Sequence, residues 1–233
     1  MNLLKEYDFT KLNQLPSDWN VAVGEKWANG EVQHYVNDAE HIRFDNGLVL
    51  QATYDGTTVR SARIHTKDNF FFQYGKIEVT AKIPKGKGTW PAIWMMPNNP
   101  QYGHWPKSGE IDIMEHTAQE LDKLFFCLHT ELYNHKRPKE QYYSADFFPG
   151  ITDDFHTFGL LWDKTKMTYL VDDKIVAEYI RGENGKDTTH LGWPFDQEYY
   201  LILNLAIGGM FGGKVDYTCF PQQFIIKQVR VYQ

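Results

Sequence analysis

Apolar and polar residues alternate along much of this chain with a period of two, as in strands that bury one face. Lys76-Ile-Glu-Val-Thr-Ala-Lys-Ile83 alternates over a full strand. Ile42-Arg-Phe-Asp-Asn-Gly-Leu-Val-Leu50 reads as a hairpin, with Asn46-Gly47 supplying the positive φ its turn needs. Phe158-Gly-Leu-Leu-Trp162 and Met167-Thr-Tyr-Leu-Val171 flank a turn at Asp163-Lys164, and Asp172-Asp173 marks the next reversal, before a strand from Lys174 to Tyr179. Tyr199 to Ile207 is almost continuously apolar, as expected of a strand buried on both faces. There is no long segment with a 3.6-residue period, no repeat and no linker. Many short strands between turn signals predict an all-β protein, a two-sheet antiparallel β-sandwich. The 233 residues fit one domain, 1–233, with a large core.

Simple alternation fails at Ser108-Gly-Glu-Ile-Asp-Ile-Met-Glu-His116. Glu110 and Asp112 share one face of a strand, but Glu115 would point to the other. Like charges side by side are unfavourable without a reason. One reading is a solvated acidic edge. The other is a carboxyl pair held for glycosidic-bond hydrolysis, with a third group to tune its protons. The second reading requires a β-bulge around Ile113-Met114, which adds one residue and returns Glu115 to the acidic face. The glutamates then stand about four strand steps apart, on the order of 13 Å between Cα atoms. A retaining glycosidase holds its carboxyls only ~5–5.5 Å apart, so curvature and long side chains must close the gap. Neighbouring negative charge raises a carboxyl pKa, so crowding would separate a protonated member from an ionised one.

The runs Gly88-Thr-Trp-Pro-Ala-Ile-Trp-Met-Met-Pro97 and Tyr102-Gly-His-Trp-Pro-Lys-Ser-Gly-Glu-Ile-Asp-Ile-Met-Glu115 resemble glycoside hydrolase family 16. The bulged E-x-D-x-x-E form resembles its laminarinase (endo-β-1,3-glucanase) branch. Trp27-Ala-Asn-Gly-Glu-Val-Gln33, Ser61-Ala-Arg-Ile64, Tyr74-Gly-Lys-Ile-Glu78, Pro194-Phe-Asp196, Asn204-Leu-Ala-Ile-Gly-Gly209 and Val229-Arg-Val-Tyr-Gln233 extend the similarity over nearly the whole chain. The resemblance implies a jelly roll with a concave substrate cleft. It also implies a retaining endo-glycosidase that cleaves β-1,3 linkages in laminarin-type or mixed-linkage β-glucan, with no cofactor. Glu110 would be the nucleophile, Glu115 the acid and then the base, and Asp112 the group that orients Glu110. Trp90, Trp94 and Trp105 resemble sugar-stacking residues, with core packing as the alternative. Arg63 and Asn29 match polar residues of the negative subsites, and His129 would approach the leaving-group side. Each of these three also reads as an ordinary satisfied polar residue. The alternatives are a related hydrolase or transglycosylase acting on another polysaccharide, such as a galactan, and a non-catalytic glucan-binding lectin. A lectin would not need both glutamates.

Aromatic residues make up 15% of the chain, with seven Trp and fourteen Tyr, which suits sugar stacking and core packing alike. A formal charge of −6 with no basic run argues against nucleic-acid binding. No stretch approaches the ~18 apolar residues of a membrane span. The start is too polar and short for a signal peptide, so the expected location is cytoplasmic as written, or extracellular if a leader was trimmed. A monomer is expected. Cys127 and Cys219 could pair but are expected to be buried free thiols, and Glu115-His116 lacks the second His that helical metal motifs need, so no metal site is assigned. Two departures from the family pattern matter. Many members bind a structural Ca²⁺ through an acidic residue near the N-terminus and an aspartate in the last strand. Asp8 fits the first, but Lys227 stands at the second, where its ammonium is expected to replace the ion by pairing with Asp8 or a nearby carbonyl. Met210-Phe211 stands where the family often has a tryptophan.

Overall fold

The computed structural model describes residues 1–233 apart from 138–141, 184 and 186. Two sheets pack face to face. One has eight strands, in the order Tyr142–Phe147, Lys123–His129, Glu110–His116, Thr89–Pro97, Tyr199–Ile207, Arg63–His65, Asn20–Val21, with Phe71–Phe72 also on Tyr199–Ile207. The other has ten, in the order Lys174–Ile180, Lys166–Val171, His156–Trp162, Gly75–Lys82, Gln222–Tyr232, Leu48–Tyr54, Val59–Ser61, Gln33–Tyr35, with Leu3–Asp8 on Gln222–Tyr232 and Ile42–Phe44 on Leu48–Tyr54. Among the described residues all pairings are antiparallel except Gln33–Tyr35 with Val59–Ser61. The expected sandwich is observed, and no helix among the described residues is long and apolar enough to cross a membrane.

The local expectations hold where the pattern carried them. Asn46 takes φ 49° in the hairpin turn, and Asp172 and Asp173 take φ 49° and 62° between Lys166–Val171 and Lys174–Ile180. Tyr199–Ile207 is buried at every position but Tyr200. Inward-facing Ile93, Met95, Ile111 and Met114 of the eight-stranded sheet meet Ile77, Val79, Phe158 and Leu160 of the other in one core. Two tyrosines of the ten-stranded sheet bridge the layers. Tyr169 donates to the Cys127 carbonyl at 3.1 Å and Tyr179 to the Phe126 carbonyl at 2.7 Å, so each buried hydroxyl has a partner. These bonds hold the strand beside the acidic one. Both cysteines are free, Cys127 buried as expected but Cys219 only half-buried.

The expectation for Lys227 is corrected. Asp8 pairs with Lys11 Nζ at 2.6 Å and accepts from Thr10 Oγ1 at 2.6 Å. Lys227 Nζ instead lies 3.9 Å from the centre of the Phe155 ring, a cation–π contact. The cause is a register shift between Ile226 and Gln228, which leaves Lys227 as the extra residue of a bulge. Gln228, not Lys227, stands opposite Asp8.

Candidate active site

The acidic strand Glu110–His116 carries the bulge that the chemistry required. Against Lys123–His129 the register slips between Asp112, opposite Cys127, and Glu115, opposite Phe125. Against Thr89–Pro97, Ile93 faces Met114 while the next residue, Trp94, faces Asp112. Ile113 is therefore the inserted residue, and Glu115 shares a face with Glu110 and Asp112. Carboxylate oxygens of Glu110 and Asp112 and a ring nitrogen of His129 lie within 4.8 Å of one another, as do those of Asp112 and Glu115 with Cys127 Sγ. Asp112 thus stands between the glutamates. His116, by contrast, is buried, with Nε2 bonded to the Leu121 carbonyl at 3.0 Å, and burial holds its ring neutral.

His129 stands opposite Glu110 in register. Its Nε2 is 3.2 Å from Asp112 Oδ2 and 3.6 Å from Glu110 Oε1. The Asp112 contact lies off the hydrogen-bond angle, which leaves Oδ2 without a bond of good geometry among the described residues. Burial opposes charge on His129, but Asp112 together with the negative field of Glu110 and Glu115 overcomes it and pushes the imidazolium up to about 10. Glu110 is raised to about 7 by burial and by Asp112, against the pull of His129, Trp105 and Arg63. Glu115 is raised further, to about 8, by burial, Asp112 and Glu110, against His129 and Trp90. The arrangement can hold a proton on Glu115 while Glu110 is ionised.

The tryptophans divide by place. Trp19, Trp162 and Trp193 are buried in the core, whereas Trp27, Trp90, Trp94 and Trp105 are half-buried. The three candidates thus lie outside the fully buried core. Trp90 donates Nε1–H to Glu115 Oε1 at 2.9 Å, and Trp94 donates to Asn204 Oδ1 at 2.6 Å. Trp105 stacks on His135 with ring centres 5.3 Å apart, under Lys136 Nζ at 5.1 Å. Its N–H is buried without a well-aligned partner among the described residues, yet lies close enough to Glu110 to favour the ionised carboxyl.

Arg63 lies between two indoles, its Cζ 4.8 Å from the ring centres of both Trp27 and Trp94. Its Nε is buried with no partner among the described residues. Asn204, opposite Arg63 in register, also donates to Tyr35 OH at 3.1 Å, and Gln33 donates to Glu31 Oε2 at 2.7 Å, so a polar network runs out from Trp94. Burial, opposed by Gln33 and Arg63, raises the Glu31 carboxyl. The structure thus gathers Glu110, Asp112, Glu115, His129, Trp90 and Trp105 into one group, with Arg63 and Trp94 as a second beside it. Asn29 joins neither: it sits in a turn with φ 64° against the loop at Gly209.

Trp27, Glu31, Gln33, Tyr35, Asn204, Cys127 and His135 were given no site role from the sequence. One signal was available for Cys127. It stands two residues from His129 on the same strand face.

With this geometry in place, similarity to known proteins is decisive. Residues 27–215 match Glycosyl hydrolases family 16. The chain belongs to this family. It is 38% identical, over 98% of its length and 83% of the relative's, to a β-glucanase of Rhodothermus marinus. A glucan endo-1,3-β-glucosidase of Cryptopygus antarcticus is 39% identical, over 85% of this chain and 78% of that protein. The crystal structure of a laminarinase from Flavobacterium sp. UMI-01 superposes with a TM-score of 0.91 at 36% identity, covering 100% of both chains. The protein is a family 16 glycoside hydrolase with the family's jelly-roll sandwich.

Proposed function

We propose that this hydrolase is an endo-β-1,3-glucanase acting on laminarin-type or mixed-linkage β-glucan with retention of configuration. The bulge at Ile113, which turns Glu115 to the face of Glu110 and Asp112, carries the reading. The printed activities of the relatives support the substrate class.

In this reading Glu110, ionised beside the His129 imidazolium, attacks the anomeric carbon as the glycosidic C–O bond breaks. Glu115 gives its proton to the departing oxygen. The glycosyl–Glu110 ester is then hydrolysed: Glu115, now a carboxylate, takes a proton from water, the water oxygen bonds to the anomeric carbon, and Glu110 leaves. Asp112 holds His129 and keeps negative charge between the glutamates, which maintains their separation. Trp94 and Trp105 offer sugar-stacking faces, and the Arg63 guanidinium, held between Trp27 and Trp94, is the candidate donor to a sugar hydroxyl. Asn29 remains a negative-subsite candidate on the resemblance alone.

A panel of β-1,3-, mixed-linkage β-1,3(1,4)- and β-1,4-glucans and a galactan, with product analysis, tests the substrate. Internal cleavage of laminarin is the expected result, and activity on the galactan alone would overturn the assignment. ¹H NMR of the first-formed product should show the β-anomer. Initial release of the α-anomer would remove Glu110 as nucleophile.

A further inference from the structure

One segment of the site carries no titratable side chain: the loop Gly208-Gly-Met-Phe-Gly-Gly213, with a single helical turn over Gly209–Gly212, directly after Tyr199–Ile207. It is held firmly. Gly208 N donates to the Gly88 carbonyl at 2.8 Å, and Gln119 Nε2 donates to the carbonyls of Gly212 at 2.9 Å and Lys214 at 3.2 Å. A β-carbon at Gly209 would stand 2.8 Å from the Asn29 carbonyl oxygen, so the loop seats against that turn only because the residue is glycine. Met210 is 75% exposed, while its neighbour Phe211 is half-buried. The Phe211 ring meets Trp90 at 5.3 Å and 64°, and Phe125 at 4.8 Å and 77°, both edge-on. Trp90 in turn donates to Glu115 Oε1.

We propose that Phe211 is a positioning residue for Glu115, acting through the Trp90 indole. Edge-to-face contact is directional. Held between Phe125 and Trp90, Phe211 fixes the plane of the indole and therefore the line along which its N–H meets the carboxyl. The catalytic consequence rests on the glycosidase reading above; the structural linkage does not. The groups that face Glu115 are Asp112 and Glu110 on its own strand, His129 and Cys127 on Lys123–His129, and Tyr143 on the edge strand. None lies on the loop, so removing Phe211 leaves the charges that face Glu115 unchanged. The indole N–H stabilises the ionised carboxylate. A loosened indole leaves the proton on Glu115 to higher pH.

The test is a carboxyl ¹³C NMR titration of the full chain, with Glu115 assigned by its loss in Glu115→Gln, alongside the pH profile of kcat on laminarin. The variants are Phe211→Ala, Phe211→Leu, Trp90→Phe and Trp90→Phe with Phe211→Ala. Phe211→Ala is expected to move the Glu115 titration and the alkaline limb upward and to lower kcat by roughly tenfold, the scale of one weakened hydrogen bond to a charged group. KM should change little. Phe211→Leu, which keeps bulk but loses the flat edge, should shift both in the same direction and carries the test if the alanine variant does not fold. Trp90→Phe should shift them furthest, and the double variant should match it, because the second change acts only through the first. A raised KM with an unmoved titration would make Phe211 a sugar platform and overturn the proposal, as would additive shifts in the double variant. Should wild-type protein cleave no glucan, the functional reading fails while the titration still decides the Phe211–Trp90–Glu115 linkage.

Discussion

Glu110 and Glu115 are the same carboxyl on one strand face, yet the two ends of that strand differ in kind. At Glu110 a cation stands near: His129 Nε2 is 3.6 Å away, backed by Trp105. At Glu115, among the described residues, no Lys, Arg or His forms an ion pair. Its neighbours are the Trp90 N–H, the Cys127 thiol and the aromatic cluster of Phe211 and Phe125. A cation in contact stabilises the ionised state outright, whereas at Glu115 the same imidazolium acts only at a distance and the one donor in contact is neutral. Unequal surroundings can thus turn equal groups into a nucleophile and an acid without any difference in side-chain chemistry.

The largest expected effect comes from removing either carboxyl. Glu110→Ala should lower kcat by at least about 10⁴-fold, the scale seen when a nucleophile is lost. Glu115→Ala should lose about 10²–10⁴-fold on polysaccharide. Its loss should be smaller on an aryl glycoside whose leaving group departs without a proton. Added azide sharpens the contrast. Glu110→Ala should yield the α-glycosyl azide by direct attack, and Glu115→Ala the β-azide through the glycosyl-enzyme. Reversed anomers would interchange the two ends.

Much of this frame was legible in the chain. The hairpin at Asn46-Gly47 and the two-sided burial of Tyr199–Ile207 follow from local pattern. The bulge was legible only through chemistry, because periodicity alone sends Glu115 to the wrong face. What stayed hidden depends on strand order. Arg63 meets Asn204 because their strands are neighbours, and no local signal pairs residues so distant in the chain. The Trp27–Arg63–Trp94 stack was hidden for the same reason. Lys227 was misjudged because a bulge shifts its direction by one residue, and that bulge has no chemical motif to announce it.

Next in size are two substitutions that move the pH profile in opposite directions. The active form has Glu110 ionised and Glu115 protonated, so activity should rise on an acid limb set by the first and fall on an alkaline limb set by the second. His129 favours ionisation of both glutamates, so His129→Asn should carry both limbs to higher pH, by roughly one unit at the acid limb. Asp112 disfavours ionisation of both, so Asp112→Asn should carry both limbs lower. The His129→Asn shift should be larger at the acid limb, because the imidazolium touches Glu110 and not Glu115. Equal shifts would mean that the cation serves the cluster as a whole, and the contrast between the two ends would lose its main support.

The smallest effect concerns stability rather than rate. Glu115 holds its proton in the folded protein up to about 8, above its ordinary value of 4.5. Below that ordinary value the carboxyl is protonated in both folded and unfolded chains and contributes no pH dependence. As pH rises through the interval, the unfolded chain releases the proton while the folded one retains it, so folding loses stability until the folded group also ionises. Glu115→Gln abolishes this loss and keeps an oxygen to accept from Trp90. Its Tm should match wild type near pH 4 and exceed it by about 2–4 °C at pH 8, the shift expected for a modest stabilisation in a chain of this size. Glu110→Gln should gain less, because its carboxyl is raised less and loses a favourable contact with His129. Thermal scans of both variants at the two pH values decide the matter. A Glu110→Gln gain equal to or above that of Glu115→Gln would mean that the proton does not reside where the surroundings of Glu115 hold it.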